Sequence, residues 1–183
     1  MTLISCGIAG LLAWRDGFFQ PLIWCCLTTG LLFAHATNNL LNDLIDYTKG
    51  VDEENYFRNR YGPQPLAQGY MSMRQFWSYI IFTGSIALTA GGILVFQGGE
   101  EVLWLFGAGV FFVVFYTWPL KYLGLGEPAV LVVWGPLMVA GGYLVMVGDW
   151  NWDVAISSLA YSLGVTAVLF GKHIDKLPAD KAK

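Results

Sequence analysis

The chain has 183 residues, of which 56% are hydrophobic and only 13% are charged. Soluble globular domains carry about 25% charged residues, so this composition is typical of a membrane protein and excludes an ordinary soluble domain. The formal net charge is −3, which excludes the basic surface that a nucleic-acid-binding protein needs, and no nucleic-acid partner is expected. Cys6, Cys25 and Cys26 match no metal or redox spacing and are interpreted as small apolar packing residues.

Six hydrophobic segments follow one another along the chain and predict an all-α, polytopic transmembrane bundle of about six spans. The first segment is shorter than the roughly 20 residues that a span requires, and we expect it to be the end of a longer helix. Glycine is concentrated in these segments, where small residues let membrane helices approach closely. The segments cover residues 3–14, 18–41, 76–96, 102–118, 128–147 and 154–170.

The basic residues divide unequally between the two sides of such a bundle. If all six segments span the membrane, residues 42–75, 119–127 and 171–183 lie on one side, which we call face A. Of the ten Lys and Arg residues, all but Arg15 fall on face A. Because basic loops are retained in the cytoplasm, face A is predicted to be cytoplasmic.

The most informative polar residues lie at the end of the second segment, on face A. On a helix, Asn39, Asp43 and Asp46 occupy positions i, i+4 and i+7 and share one side, with Asn38 and Asn42 beside them. Carboxylate and amide oxygens suit a hard divalent cation such as Mg²⁺ and, through it, a diphosphate. The simpler interpretation is interhelical hydrogen bonding by Asn and solvated Asp at a loop. So many polar residues in one stretch fit that interpretation poorly.

Two other stretches on face A carry polar groups that can serve the same site. Asp175 and Asp180 follow the sixth segment, and we expect them to converge with the first cluster around two or more Mg²⁺ ions. Taken alone, they are equally well explained as solvated side chains at a membrane edge. Lys121 is a candidate for neutralising phosphate charge and Tyr116 for lining a cavity, although a Pro/Gly turn with interfacial aromatic residues explains them equally well. His35 is interpreted as a hydrogen-bonded packing residue.

These residues resemble the UbiA superfamily of intramembrane prenyltransferases, and within it the 1,4-dihydroxy-2-naphthoate prenyltransferases of menaquinone synthesis. That branch has an N-D-x-x-D motif followed by G-x-D, which Asn42, Asp43, Asp46, Gly50 and Asp52 match in type and spacing. The stretches at residues 60–63, 69–72 and 116–127 also resemble the branch. Residues 171–180 depart from its second motif, since they lack two Asn residues and an Arg.

The resemblance implies one membrane-embedded domain over residues 1–183, in a family whose members have about nine helices. The chain is therefore expected to be a fragment that lacks C-terminal helices and part of its first helix. The implied reaction is Mg²⁺-dependent transfer of a prenyl group from a polyprenyl diphosphate to an aromatic acceptor such as 1,4-dihydroxy-2-naphthoate, with release of diphosphate. The implied location is the lipid bilayer of a bacterial plasma membrane.

The resemblance also assigns roles to residues of this chain. The implied metal ligands are Asp43, Asp46, Asp52, Asp175 and Asp180; the implied catalytic residues are Asp43, Asp46, Lys121 and Tyr116; and the implied substrate-binding residues are Asn39, Asn42, Arg60, Lys121 and Lys172.

Two other functions remain open at this point. The chain resembles a UbiA-type enzyme that uses another acceptor, such as a hydroxybenzoate, a homogentisate, a porphyrin or a glycerol-phosphate lipid, about as well. It is also compatible with part of a polytopic transporter in which the acidic residues form an ion or proton site. A transporter site is expected near the bilayer midplane, whereas these acidic residues lie at the ends of spans on one face, which favours a diphosphate site.

Overall fold

The computed structural model of the protein describes residues 1–49 and 64–180, with the backbone alone at residues 172, 173 and 175–180. Over these ranges the structure contains helices and no strand, which confirms the predicted all-α bundle. Four long helices are α1 (Thr2–Arg15), α2 (Pro21–Thr48), α3 (Met73–Phe115) and α6 (Trp152–Asp180). Between α3 and α6, a π-helical turn (Tyr116–Leu120) and a 3₁₀ turn (Lys121–Leu123) precede one continuous rod. The rod consists of α4 (Gly126–Val132), a π-helical stretch (Val133–Ala140) and α5 (Gly141–Val147).

Helix α3 consists of two antiparallel arms that meet at Gly99. Its 43 residues would form a straight rod about 65 Å long, roughly twice the thickness of the bilayer core. Gly99 has φ 73° and ψ −151°, a conformation that glycine adopts because it has no Cβ. The chain reverses there, and Gly91 of the first arm contacts the ring of Phe106 in the second. The two arms are the third and fourth predicted segments.

The helices are apolar and long enough for a membrane protein. Among the described residues, three stretches meet the length and hydropathy of a span: Met73–Leu123, Gly126–Val147 and Trp152–Gly171. Helix α2 has 28 residues, but His35 and several Asn residues lower its mean hydropathy. Helix α1 is apolar and has 14 residues. Five of the six predicted segments lie within helical structure, the second begins three residues before α2, and the chain forms an all-α membrane bundle.

Small residues allow the helices to pack closely in the centre of the bundle. Ala9 and Ala13 of α1 are fully buried against Val139 and Ala140 of the rod. A Cβ added at Gly135 would lie 3.0 Å from the Ser158 carbonyl oxygen of α6, so the rod and α6 approach as closely as a glycine permits. This tight packing fixes the relative positions of α1, the rod and α6.

The bundle has two ends that differ in chemistry. At the face A end, the last turns of α2 meet residues 116–123, and α3 begins with a capping box in which Ser72 and Gln75 bond each other's backbone N–H groups. At the opposite end, the loop after α1 meets α5, where the Tyr143 hydroxyl donates to Asp16 and Gln20 donates to the Met146 carbonyl oxygen. Among the predicted functional residues, Asn42, Asp46 and Lys121 lie at the face A end.

Candidate active site

Helix α2 supplies one side of the candidate site. It runs without a break from Pro21 to Thr48, and Pro21 occupies the first turn, where a missing N–H costs nothing. Because the helix is continuous, Asn39, Asp43 and Asp46 lie on one side of it, as their spacing predicts. This stripe extends from within the bundle to its face A end.

Asp46 is the most unusual residue of the stripe, because its carboxylate is almost completely buried. The Asp46 side chain is 1% exposed, and the Lys121 ammonium lies 3.4 and 3.3 Å from its two oxygens. The same ammonium lies 3.4 Å from the Asn42 Oδ1, and the buried Thr117 hydroxyl lies 3.5 Å from that oxygen. A buried carboxylate is costly unless a cation or hydrogen-bond donors compensate it, and here the compensation comes from 75 residues further along the chain.

The turns after α3 position Lys121 over the end of α2. Lys121 begins the 3₁₀ turn, and Gly124 ends it with φ 72°. A backbone hydrogen bond of 2.9 Å from Leu125 N to the Leu120 oxygen closes the segment. The Lys121 side chain is 35% exposed, so it extends from the buried carboxylate to the surface at this end of the bundle.

Two contacts at this end are absent from the sequence prediction. Thr117 is buried beside Asn42. In the sequence, only its position next to Tyr116 suggested that Thr117 belongs to the site. The Lys49 ammonium lies 3.7 Å from the centroid of the Tyr122 ring and 5.8 Å from that of Trp118. Such cation–π contacts are favourable, and this one ties the end of α2 to the segment that carries Lys121.

A cavity of about 570 Å³ lies inside the bundle, next to this cluster. Its walls are mainly apolar side chains from α2, both arms of α3, the rod and α6. Towards face A its lining includes Asn38, Asn39 and Tyr116, and Asn38 donates a 3.0 Å hydrogen bond to the Val113 carbonyl oxygen. Asn39 is one helical turn from Asn42 and Asp43, so the polar cluster lies just beyond the polar end of an apolar cavity.

His35 lies deeper in the same cavity wall. Its Nδ1 is 2.8 Å from the Thr2 hydroxyl of α1, and its ring meets that of Trp134 edge to face, with centroids 5.2 Å apart. These contacts agree with the interpretation of His35 as a hydrogen-bonded packing residue.

The structure brings together only some of the predicted site residues. Asn42, Asp46 and Lys121 are in contact, Asn39 and Tyr116 line the cavity, and Asp43 lies half-buried on α2 beside them. Three predicted residues, Lys172, Asp175 and Asp180, belong to the last turns of α6, where only the backbone is described, and two, Asp52 and Arg60, lie outside the described residues. In the part of the chain that the structure describes, no three His, Cys, Asp or Glu side chains form a cluster that could hold a metal ion. The metal ligands therefore stay predictions.

Comparison with known proteins identifies the family. The model of the UbiA prenyltransferase family matches residues 3–183. The chain belongs to this family. The resemblance seen in the N-D-x-x-D motif is thereby confirmed, and the buried Asp46 is the last acidic residue of that motif.

Three curated relatives show what the chain is similar to. It is 29% identical to the 1,4-dihydroxy-2-naphthoate octaprenyltransferase of Escherichia coli (strain K12), over 93% of this chain and 57% of that protein. It is 24% identical to UbiA prenyltransferase domain-containing protein 1 of Gallus gallus, over 99% of this chain and 54% of that protein. It is 26% identical to the 2-carboxy-1,4-naphthoquinone phytyltransferase of Synechocystis sp., over 79% of this chain and 46% of that protein. The chain spans about half the length of these relatives, and no solved structure matches it.

Proposed function

We propose that this chain forms part of a membrane prenyltransferase that moves a prenyl group from a polyprenyl diphosphate to an aromatic acceptor such as 1,4-dihydroxy-2-naphthoate. The observation that carries the proposal is the buried Asp46 with Asn42 and Lys121, which lies beside the polar end of an apolar cavity. A charged cluster next to an apolar cavity suits a substrate with a diphosphate head and a hydrocarbon tail. Family membership supports the reaction class.

The oxygen donors of α2 fit the Mg²⁺ ion that such a reaction requires. Asn42, Asp43 and Asp46 offer one amide and two carboxylate groups without nitrogen or sulfur ligands, the chemistry that Mg²⁺ prefers. When bound, Mg²⁺ would supply positive charge that helps diphosphate to leave. We propose Asp52, Asp175 and Asp180 as further ligands, on the family resemblance alone.

The chain's own residues would bind the donor and protect the reacting carbon. The Lys121 ammonium would bind diphosphate oxygens, as would Arg60 and Lys172 by resemblance, while Asn39 and Asn42 would orient the head group. As the carbon–oxygen bond to diphosphate breaks, the allylic carbon becomes cationic. The apolar cavity walls would exclude water from it until the acceptor ring forms the new carbon–carbon bond and loses a proton. The ring of Tyr116, at the polar end of the cavity, would face this cation.

The names of the relatives favour an acceptor with a naphthalene ring system. The Escherichia coli relative is named for 1,4-dihydroxy-2-naphthoate and the Synechocystis relative for 2-carboxy-1,4-naphthoquinone. Their names give different donors, octaprenyl and phytyl, so donor length varies among proteins similar to this chain. We propose a naphthoate acceptor in quinone biosynthesis and leave the donor length to experiment.

The same arrangement supports a location for the site. Lys49 and Lys121 lie at the face A end and Arg15 lies at the opposite end. Because basic residues are retained on the cytoplasmic side, we propose that the site faces the cytoplasm, from the plasma membrane of a bacterium.

The test uses two proteins in bacterial membranes that lack the endogenous enzyme. The first is this chain, and the second, which we call the joined form, is this chain fused to the part of the Escherichia coli relative that it does not match. Each receives Mg²⁺, a polyprenyl diphosphate and a panel of naphthoate, hydroxybenzoate, homogentisate, porphyrin and glycerol-phosphate acceptors. We expect prenylated naphthoate by mass spectrometry, abolished by EDTA and restored by Mg²⁺. If both proteins are folded and neither forms a prenylated product nor releases diphosphate, the proposal is wrong.

A further inference from the structure

The Lys121 ammonium is close to side-chain oxygens of Asp46 and Asn42 that could also bind a metal ion. Its ammonium lies 3.3–3.4 Å from three oxygens, two from Asp46 and one from Asn42. Asp46 and Asn42 are the last and first residues of the N-D-x-x-D motif, which the proposed function assigns to Mg²⁺. The lysine therefore contacts the same oxygens that the metal needs.

Two cations cannot use these oxygens together without strong repulsion. Like charges at contact distance repel each other at the effective dielectric constant of a protein surface, and the divalent charge of a metal ion increases the repulsion. The repulsion is relieved if the ammonium withdraws or if an anion joins the site. The Lys121 stem is flexible and its side chain is 35% exposed, so the side chain adjoins open space into which it can turn.

We propose that Lys121 is a built-in counter-ion that keeps Asn42 and Asp46 from binding a divalent metal until diphosphate arrives. In the free protein the ammonium balances the buried Asp46 carboxylate. A diphosphate group brings negative charge that attracts the ammonium away, and removal of this cation from the Asp46 and Asn42 oxygens lets the metal approach them. Metal and diphosphate thus bind together, and each binds weakly alone. This inference rests on the proposed function and adds the order of binding at that site.

The neighbouring lysine provides a matched control. Lys49 lies at the same end of the bundle, but its ammonium is held over the rings of Tyr122 and Trp118. Substituting Lys49 changes the net charge near the site by one unit. Substituting Lys121 changes the net charge by the same amount and also removes the cation that contacts Asp46. The difference between the two variants isolates the counter-ion effect.

The experiment measures Mn²⁺ binding, with Mn²⁺ as a paramagnetic substitute for Mg²⁺, to the whole chain in lipid nanodiscs. Because diphosphate also chelates Mn²⁺ in solution, binding is measured as the Mn²⁺ retained with the nanodiscs in equilibrium dialysis at a fixed concentration of free Mn²⁺, with and without inorganic diphosphate. Without diphosphate, we expect Lys121→Gln to bind Mn²⁺ about tenfold or more tightly than wild type. Lys49→Gln is expected to change the affinity less than about threefold, because Lys49 is exposed, so its charge is screened, and its ammonium lies over the rings of Tyr122 and Trp118. Diphosphate should raise Mn²⁺ affinity strongly in wild type and weakly in Lys121→Gln.

The outcomes separate this inference from the proposed function. If diphosphate raises Mn²⁺ affinity in wild type but Lys121→Gln binds Mn²⁺ alone no more tightly than Lys49→Gln, the counter-ion role is wrong and the proposed function stands. If diphosphate leaves Mn²⁺ affinity unchanged in wild type, the metal–diphosphate site and this inference are both wrong. Circular dichroism checks that the variants are folded. Lys121→Arg keeps a positive charge beside Asp46 and gives a second test. This variant should bind Mn²⁺ alone no more tightly than wild type does. Tighter binding would also overturn the inference.

Discussion

The two ends of the bundle each hold an aspartate next to a basic residue, but the two pairs are built differently. At the opposite end, Arg15 donates to its sequence neighbour Asp16 over 2.7 and 3.0 Å, and the Tyr143 hydroxyl adds a 2.9 Å bond. The side chains of Asp16 and Arg15 are 27% and 64% exposed. At the face A end, Asp46 is buried, and Lys121, one of its partners, is distant in sequence and no closer than 3.3 Å.

This difference indicates which cluster maintains the fold and which is available for chemistry. Both oxygens of Asp16 accept short hydrogen bonds, and one of these bonds joins the loop after α1 to the buried Tyr143 of α5. The Lys121–Asp46 contact is longer than the 2.7–2.9 Å of a tight charge-assisted bond. A long contact between a lysine and a buried carboxylate beside a cavity is typical of a binding site, because the lysine can turn to a ligand instead.

The largest expected effect is a difference in prenyl-transfer activity between variants of Asp46 and Asp16. Asp46→Asn should lower prenyl transfer by the joined form by about a hundredfold or more, because it removes a carboxylate from the proposed metal site. Asp16→Asn, the matched control, should leave turnover within about threefold of wild type, because Asp16 lies at the end of the bundle away from Asp46 and Lys121. Product is measured by mass spectrometry, with helix content checked by circular dichroism. Near-normal turnover by folded Asp46→Asn would remove Asp46 from the site.

The second prediction tests whether the cavity binds the prenyl tail of a donor whose diphosphate lies at the face A end. Gly109 lines the cavity, and a Cβ there would meet no atom within 4 Å, so Gly109→Phe adds a ring in open space. We expect the joined form to lose about tenfold in kcat/KM for a long donor, about the cost of displacing one or two methylenes of a bound tail, and much less for a short donor.

Gly107 provides the control for this substitution. A Cβ at Gly107 is equally unobstructed, but the residue is exposed on the surface of α3 and does not line the cavity. Gly107→Phe should therefore leave the ratio of long-donor to short-donor turnover unchanged. An equal effect of both variants on that ratio would mean that the cavity does not hold the tail.

A smaller effect is expected on stability at the opposite end. Tyr143→Phe removes the hydroxyl that donates to Asp16 and should lower the Tm in detergent by about 2–4 °C, since one such bond stabilises a chain of this size modestly. Tyr161→Phe, which removes an exposed hydroxyl that donates to the Met1 carbonyl oxygen, should lower it less. Equal decreases in Tm would show that the Tyr143–Asp16 hydrogen bond stabilises the fold no more than the exposed Tyr161 bond does.

The smallest effect is a pH dependence at Asp16. Hydrogen bonds from Arg15 and then from Tyr143 hold the pKa of Asp16 below its usual value, because they stabilise the charged form. Since the pKa is lower in the folded than in the unfolded protein, Asp16 stabilises the fold above about pH 4 and loses this contribution as the pH falls through its folded-state pKa. The stability difference between wild type and Asp16→Asn should be constant from pH 7 to pH 5 and decrease below about pH 4. Chemical unfolding at each pH measures it, and a difference that grows in acid would contradict the assignment.

Much of the fold was predictable because the helices of a membrane protein are indicated by local sequence patterns, namely apolar length and helical periodicity. Apolar length indicated each helix, including the two arms of α3 on either side of Gly99, and the 3.6-residue period placed Asn39, Asp43 and Asp46 on one side of α2. The order of the six segments placed Lys49 and Lys121 at one end of the bundle and Arg15 at the other. These features depend on residues close together in the chain, so the sequence suffices.

The contacts that define the site depend on residues far apart in the chain. Three features show this: Lys121 contacts Asp46 across 75 residues, Thr117 is buried against Asn42, and Lys49 is held over Tyr122. The sequence predicted Lys121 as a phosphate ligand but gave no indication that its ammonium compensates Asp46.

The sequence by itself determined the class of this protein: its helices, its polar stripe and the family motif, all of which follow from composition, periodicity and short-range spacing. Only the tertiary structure decided that Asp46 is buried, that Lys121 compensates it and that an apolar cavity adjoins them. Burial and long-range pairing arise when separate helices pack, and in a bundle of low dielectric constant the packing decides which charges must be partnered.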